Sequence, residues 1–362
     1  MKIGFVTIIL AFLSLLAYVI WHLLRITPGS WLLKLTIVCL FLFWMVLAFA
    51  GMFVSEKVSV RTASAIFEAG HPWMIAFLYL AIIFLAADVA SLCKILPRSY
   101  LTNSSIGLSW IVGIVTIILV YGGIHYRHKY REELTIRTDK PVDKPLTIVL
   151  ASDLHVGYTN RRRELSRWID LINAQNPDLI LFCGDIIDLR LRPVIEGGYA
   201  EEFLRLSAPA WAVPGNHEYY GDKKGAEEFY AVSGISLLRD SVAHFKGLDI
   251  IGRDDRTNKE RKPLSELAYS TLGFTILLDH QPSHLEEAEG AGIDFQFSGH
   301  THHGQVWPLS WITDAMYEKA WGHHIRGNTR YYVSSGLGIW GPKIRIGTRS
   351  EYLVLHIFEK EQ

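Results

Sequence analysis

The stretch LTIVLASDLH (146–155) decides how the C-terminal part of this chain is expected to fold. Its first six residues are apolar or β-branched, which predicts a buried strand. The strand runs directly into Asp153 and His155, whose side chains can bind metals or transfer protons. A buried strand that ends in such residues is typical of an α/β sheet, where ligands bind at the carboxyl ends of the strands.

The same arrangement recurs after four more predicted strands, LILFC, WAV, FTILL and FQFS. The polar residues that follow the five strands are, in chain order, Asp153 and His155, Asp185 and Asp188, Asn216 and His217, His280, and His300 and His302. Because strand ends of an open α/β sheet lie together, these turns are expected to converge on one site.

The residue types in these turns indicate metal binding. Aspartate, asparagine and histidine without thiolate suit divalent ions such as Mn, Fe or Zn. The turns offer more ligands than one ion needs, which favours two ions that share a carboxylate. The i, i+2 spacing of Asp153 with His155, and of His300 with His302, would present each pair on one side of an extended segment. The same alternation would turn His303 away from the metals, towards other partners or solvent.

Helical patterns separate the strands. The segment RRRELSRWIDLINAQ (161–175) has apolar residues at helical spacing, and a second helix is expected over 200–206. Ser283, with Glu286 three residues later, predicts the start of a third helix by a capping box. Together these elements predict a layered α/β domain over 146–362, preceded by a polar segment (131–145) that is either a linker or a first edge strand.

The first part of the chain is apolar and nearly free of charge. Four runs, at about 3–24, 33–54, 73–92 and 106–126, are long enough to cross a bilayer, which takes about 20 helical residues. Residues 1–130 are therefore expected to form a transmembrane region of four helices in a multi-pass cell-membrane protein. Asp88 is the acidic residue inside a run, and it lies either at the interface or at an intramembrane functional site.

Charge and cysteine content narrow the functional classes. A formal net charge of zero does not favour nucleic-acid binding, and three distant cysteines offer neither a disulfide framework nor a Cys-x-x-Cys zinc site. With the N-terminus inside, lysine and arginine near the spans number six inside and four outside. That bias favours a soluble domain on the cytoplasmic side.

Taken in order, the motifs DLH, GDxxD, GNHE, a lone histidine after a strand, and GHTH resemble those of the calcineurin-like metallophosphoesterases. The stretches GHTHHGQVWP and WGPKIRIGTRSE are similar to the membrane-attached bacterial branch of predicted phosphohydrolases. The resemblance implies a β-sandwich flanked by helices. It also implies a set of roles: Asp153, His155 and His302 hold one metal, Asn216, His280 and His300 the second, Asp185 bridges both, His217 acts on the phosphoryl group, and Asp188 orients His217.

The function implied is a membrane-bound, binuclear, metal-dependent phosphoric ester hydrolase. It would cleave a phosphoester or pyrophosphate bond with metal-activated hydroxide, using Mn first and Fe or Zn as alternatives. The anchor motivates the expectation of a lipid-linked phosphorylated substrate in the bilayer. The alternatives are a phosphodiesterase that acts on a soluble nucleotide or a generic phosphodiester, and a non-catalytic membrane receptor or scaffold of the same fold. The sequence leaves the oligomeric state open.

Several other polar and aromatic residues carry two readings. Asp254 and Asp255 are expected to make turn hydrogen bonds, with a position in the site as the alternative. The arginines at 161–163 either bind an anion or form a solvated helix start. The late tryptophans are expected either in the core or on an apolar rim that faces the bilayer: Trp307, Trp311, Trp321 and Trp340. The histidines expected at the surface or in packing are His244, His284, His323 and His324.

Overall fold

The computed structural model describes residues 2–270 and 272–360. Residue 1 of the predicted transmembrane region and the last two residues of the predicted α/β domain lie outside these ranges. The chain divides into two compact units, Met1–Ile124 and His125–Gln362.

The first unit is helical. Its helices are α1 (Lys2–Ile26), α2 (Trp31–Val54), α3 (Val60–Gly70), α4 (Pro72–Leu92) and α5 (Ser105–Arg127), the last of which ends in the second unit. Four stretches, with α3 and α4 taken together, are long and apolar enough to cross a membrane by length and composition. α3 was not predicted. It is a short helix separated from α4 by His71, which precedes the proline at the first position of α4.

Asp88 is not isolated within its helix. Its carboxylate accepts a hydrogen bond from the Tyr18 hydroxyl at 2.9 Å and lies 2.9 Å from Nε2 of the fully buried His22. Both partners come from α1, so the acid links α4 to α1. A polar group among apolar helices is expected to pair in this way, because an unpaired one is costly there.

The second unit is built on two six-stranded sheets. Its strands are β1 (Lys129–Thr138), β2 (Leu146–Ala151), β3 (Leu179–Cys183), β4 (Ala210–Val213), β5 (Ile235–Leu237), β6 (Ser241–Phe245), β7 (Leu248–Gly252), β8 (Phe274–Leu278), β9 (Phe295–Ser298), β10 (Gly322–Arg326), β11 (Thr329–Val333) and β12 (Ser350–Glu359). The strand orders are β1-β12-β2-β3-β4-β5 and β10-β11-β9-β8-β7-β6. In each sheet the central strands, β2 to β4 and β7 to β9, run parallel.

The structure corrects the prediction of a linker at 131–145. Lys129–Thr138 forms β1, which pairs in parallel with β12 over its whole length, from Lys129 opposite Ser350 to Thr138 opposite Glu359. The alternative reading, a first edge strand, describes most of this segment. The sequence could not distinguish the two, because the partner strand lies at the far end of the chain.

The layers follow from which faces are apolar. One cluster of buried side chains fills the space between the sheets, including Ile148 and Leu181 from one sheet and Ile276 and Phe295 from the other. The helices of this unit are α6 (Arg162–Asn173), α7 (Arg192–Glu196), α8 (Tyr199–Phe203), α9 (Asn216–Tyr220), α10 (Lys223–Val232), α11 (Glu286–Gly290) and α12 (Leu309–Met316). Side chains of α6, α7, α8 and α10 pack on the outer face of the first sheet, and those of α11 pack on the outer face of the second. The predicted architecture, a β-sandwich flanked by helices after an N-terminal helical region, is confirmed.

Of two predicted helical features, one is confirmed and one is wrong. α6 buries Leu165, Trp168 and Ile169 on one face, as its spacing predicts. The capping box at Ser283 is wrong: α11 begins at Glu286, and its N-cap makes no side-chain hydrogen bond. The reason is His284, whose φ of +58° interrupts the helical path between Ser283 and Glu286.

Candidate metal centre

Each strand that was predicted to end in polar residues delivers them to one region of the second unit. β2 leads to Asp153 and His155, β3 to Asp185 and Asp188, and β4 to the first turn of α9, with Asn216 and His217. β8 leads to His280, and β9 leads to His300 and His302. Contacts among these side chains connect all nine predicted site residues.

The first group joins Asp153, His155 and His302. Nε2 of His155 and Nε2 of His302 are 3.0 Å apart, and they lie 3.9 and 3.4 Å from Oδ1 of Asp153. All three residues are buried. Two nitrogens that share one ion at about 2.1 Å lie about 3.0–3.4 Å apart for right or tetrahedral angles. The separations of His302 from His155 and from Asp153 fall in this range, and the one between His155 and Asp153 is wider. With ligand atoms that all lie within 4.8 Å of one another, the three residues form a candidate site for one ion.

The second group joins Asn216, His280 and His300, and Asp185 connects it to the first. Oδ1 of Asn216 is 3.3 Å from Nε2 of His280 and 2.8 Å from Nδ1 of His300. Oδ2 of Asp185 lies 3.2 Å from Nε2 of His280 and 3.7 Å from Nε2 of His155. One carboxylate oxygen thus contacts both groups, which is the position that a bridging ligand needs.

The candidate ligands converge through tight turns rather than along extended segments. The i, i+2 pairs were expected on extended segments, yet Asp153, His155, His300 and His302 all have positive φ, between +46° and +70°. Asp185 has a φ of +52° as well. The side chains meet because the chain turns tightly after each strand. Such conformations are strained for most residues and cluster at functional sites.

Two motif glycines are required by close approach. A Cβ at Gly184 would lie 2.4 Å from Nδ1 of His280, and Gly184 has a φ of +78°. A Cβ at Gly215 would lie 2.1 Å from Oδ1 of Asp185. Any larger residue would displace a candidate ligand, which explains physically why these motifs carry glycine.

The protonation states of three candidate ligands, His155, His300 and Asp185, suit the binding of cations. Burial lowers the pKa of His155 and of His300 to about 4, so both rings are neutral at pH 7, the form that binds metals. Burial raises the pKa of the Asp185 carboxyl, but the charge of His280 and its hydrogen bond outweigh this and hold that pKa well below its usual range. Nδ1–H of His280 donates to the Cys183 carbonyl at 2.8 Å, which directs Nε2 towards the cluster.

The chemistry of these donors tests whether the divalent ions implied by the motif resemblance fit the site. The groups combine carboxylate, amide and neutral imidazole, without thiolate, as ions of intermediate hardness prefer. Two sets of ligand atoms, Asp153/His155/His302 and Asp185/His280/His300, each lie within 4.8 Å of one another. The residues fit divalent cations in both groups.

His217 and Asp188 stand beside the metal ligands. Nδ1 of His217 is 3.1 Å from Oδ1 of Asp188, and its backbone N–H donates to Oδ1 of Asp185 at 2.9 Å. Burial lowers the pKa of His217, but the hydrogen bond to Asp188 and the charges of Asp185 and Asp188 raise it to about 9. His217, Asp185 and His155 also lie close enough to form a third candidate metal group.

The remaining predicted residues lie outside the cluster. His303 stacks on Trp321, with ring centroids 5.1 Å apart, and its Nε2 is 3.4 Å from Asp314, so it does point away from the candidate ligands. Asp254 and Asp255 make the expected turn hydrogen bonds, including one from the Thr257 N–H to Asp255 at 2.8 Å.

The arginines at the start of α6 have different environments. Arg162 is paired with Glu201 and Glu202 of α8, at 2.7 and 2.9 Å, so its charge is already matched. Arg163 is exposed. Of the histidines expected at the surface or in packing, His244 pairs with Asp249, and it is exposed.

Sequence reasoning missed three supporting residues. Asn160 donates to the carbonyls of Leu154 and His155 at 3.0 and 3.1 Å. Glu218, quoted in a motif without a role, accepts the backbone N–H groups of Asp185 and Gly215. The GNHE motif could have indicated Glu218, whereas no sequence pattern indicated Asn160.

Arg345 is the third missed residue. It is fully buried, and in the described ranges of the chain no carboxylate oxygen lies within 4.0 Å of its guanidinium. It instead donates to the carbonyls of His302, Ser335 and Gly338, the first at 2.8 Å. It therefore holds the carbonyl of a candidate ligand whose own φ is +47°.

Replacing Arg345 with methionine is expected to lower the unfolding free energy by about 3 kcal/mol, because three buried carbonyls lose their donor. For a domain of this size that corresponds to a Tm about 6–12 °C lower, measurable by fluorescence-detected melting of the full chain. Arg345→Lys should recover part of the loss. Arg330→Met, on a half-buried arginine of β11, is the matched control. Equal melting temperatures for Arg345→Met and this control would contradict the assignment.

This region is similar in sequence to known metallophosphoesterases. Residues 146–304 match the family model of the calcineurin-like phosphoesterases. An uncharacterized metallophosphoesterase of Helicobacter pylori is 30% identical over 239 residues, covering 64% of this chain and 64% of that protein. A zebrafish (Danio rerio) transmembrane protein with a metallophosphoesterase domain is 28% identical over 263 residues, covering 66% of this chain and 60% of that protein.

The chain thus spans less than two thirds of the length of these two relatives. A solved structure described as a novel archaeal phosphodiesterase is similar at 17% identity with a TM-score of 0.33, over 53% of this chain and 85% of that one. The family match ends at residue 304, so α12, Arg345 and the last three strands lie beyond it.

Proposed function

Because residues 146–304 match the family model of the calcineurin-like phosphoesterases, we propose that this chain is a binuclear, metal-dependent phosphohydrolase of a lipid-linked phosphoester or pyrophosphate. The observation that carries the proposal is the pair of ligand groups joined by Asp185, with His217 and Asp188 beside them. Asp153, His155 and His302 would hold one ion, and Asn216, His280 and His300 the other. Mn²⁺ is the first candidate, with Fe and Zn as alternatives.

When bound, two divalent ions supply positive charge that polarises the phosphoryl group and activates water. The protein positions the reacting groups and moves protons. The attacking oxygen forms a bond to phosphorus while the bond from phosphorus to the leaving oxygen breaks. Since Asp188 accepts from Nδ1 of His217, Nε2 is the nitrogen free to donate a proton to that leaving oxygen. Asp188 keeps the ring in this orientation.

Two observations favour a lipid-linked substrate over a soluble one. Four helices of the chain are long and apolar enough to cross a membrane. Trp340, which is 42% exposed, lies with its ring centroid 6.4 Å from that of His217. An exposed indole beside the proposed proton donor offers apolar surface to a substrate that carries acyl or prenyl chains.

The substrate class is tested by comparing two matched compounds with the purified full chain and added Mn²⁺. One is a phosphoester or pyrophosphate with its acyl or prenyl chains, such as a nucleotide-linked diacyl sugar or a polyprenyl pyrophosphate. The other is the same headgroup without chains. A higher kcat/KM for the lipid is expected. Preference for the soluble compound would overturn the lipid assignment, and activity on neither would favour a non-catalytic scaffold.

We further propose that the second unit lies on the cytoplasmic side. The support is the excess of lysine and arginine near one set of helix ends, six against four. Protease added to intact cells should then leave this unit uncut, while protease added to inverted vesicles should remove it. The opposite pattern would reverse the assignment.

A further inference from the structure

Helix α12 has an unusual distribution of side chains. It buries Ser310, while Trp311, Ile312 and Met316 are 64%, 55% and 70% exposed. Trp307 just before it is 39% exposed and Leu309 is 36% exposed. These five residues are called the α12 patch below. A surface helix normally buries its apolar side chains, so five exposed ones within ten positions mark a surface for an apolar partner.

The α12 patch lies close to the end of α5 within the second unit. The backbone N–H of Trp307 donates to the carbonyl of Ile346 at 2.7 Å. Two residues later, the carbonyl of Thr348 is 3.0 Å from Nε2 of His125, in the last turn of α5. α5 is one of the helices long and apolar enough to cross a membrane.

The connection from α5 to β1 is short. α5 ends at Arg127 and β1 begins at Lys129, so one residue, His128, separates them. One residue spans at most about 3.6 Å. The last turn of α5, from His125, therefore belongs to the same unit as β1, and the α12 patch lies on the surface around that turn.

The chemistry of this surface matches a lipid interface. Tryptophan favours the boundary between headgroups and acyl chains, and isoleucine, leucine and methionine favour the chains. Basic residues flank the same helix end: Arg127 is exposed, and a hydrogen bond from Tyr126 to Asn160 brings the start of α6, with exposed Arg163, close by. Exposed cations there suit anionic headgroups.

We propose that the α12 patch is a membrane-docking surface that inserts into the bilayer interface. The insertion would hold the site close to the headgroups, because α12 follows His302 by a few residues and Tyr317 at its end lies 6.3 Å from the His300 ring. This inference does not depend on what the site hydrolyses, and its test uses no activity.

The test measures the depth of a nitroxide label on the full chain in vesicles of phosphatidylethanolamine and phosphatidylglycerol. Cys39 and Cys93, the exposed cysteines, are replaced with alanine, and buried Cys183 is kept. Ile312→Cys carries the label, and Val232→Cys on α10, with 63% exposure, is the matched control. Both changes replace exposed side chains, so neither is expected to disturb folding.

The label at 312 is expected to be more accessible to oxygen than to a water-soluble nickel chelate, at a depth of about 5–10 Å. The label at 232 should show the reverse. Equal, water-like accessibility at both positions would overturn the proposal. Dipolar broadening at 312, lost on dilution with unlabelled chain, would overturn it too, since a second copy of the chain would then cover the patch.

Discussion

Replacing Asp185 with asparagine is expected to abolish hydrolysis, with a loss of at least about 10³-fold, and to reduce bound metal to one ion or fewer per chain. Oδ2 of Asp185 lies 3.2 Å from Nε2 of His280 and 3.7 Å from Nε2 of His155, so it serves both ligand groups. Its pKa is held well below the usual range, so the change removes a negative charge at neutral pH. Metal content and turnover of the purified full chain check the prediction.

The matched control for this change is Asp249→Asn. Asp249 is also buried and hydrogen bonded, to His244 and to the Ser270 N–H, but it lies near the start of β7 rather than at a carboxyl strand end. It should retain metal and activity, even if stability falls. Unchanged hydrolysis in Asp185→Asn would remove this residue, and with it the binuclear arrangement, from the mechanism.

Replacing His217 with glutamine is expected to lower kcat by about 10²–10⁴-fold while leaving the metal content unchanged. Glutamine retains polarity but cannot carry the proton that the His217–Asp188 pair holds. Metal content decides between two roles, because His217 also lies close enough to Asp185 and His155 to act as a ligand. Loss of an ion in this variant would make His217 a ligand and contradict its role as proton donor.

Two further variants sharpen that result. Asp188→Asn should cost less than His217→Gln, because it removes the orienting carboxylate and leaves the imidazole in place. His303→Gln is the matched histidine control, since His303 stacks on Trp321 and contacts none of the proposed ligands. Its activity should match that of the unaltered chain.

Much of the site could be predicted because one physical rule covers it. Each buried strand can be recognised from its composition, and the residues after its carboxyl end lie at one common site. Strands β2, β3 and β4 reach that site from one sheet, and β8 and β9 reach it from the other. That rule brought His280, which stands alone in its motif, together with Asn216 and His300, far from it in sequence. The rule does not describe the turns themselves, and the expectation of extended segments at Asp153 and His302 failed for that reason.

The parts that could not be predicted depend on distant or three-dimensional information. β1 pairs with β12 across more than two hundred positions, and a polar segment with two prolines shows no sign of that partner. Arg345 reads as an ordinary surface cation until the fold surrounds it with carbonyls. The tryptophans of the late segments carried two readings, and burial alone separates Trp311 on the exposed patch from Trp321, which donates to buried Glu351.

The central claim, metal-dependent cleavage of a phosphoester by this site, is tested most directly by titrating Mn²⁺ into the chelated, purified full chain. The readout is hydrolysis of bis(4-nitrophenyl) phosphate, a generic phosphodiester. Activity is expected to be absent without metal and to reach a plateau at two ions per chain. A chain that binds Mn²⁺ yet stays inert at every ratio would contradict the account and leave the fold as a non-catalytic scaffold.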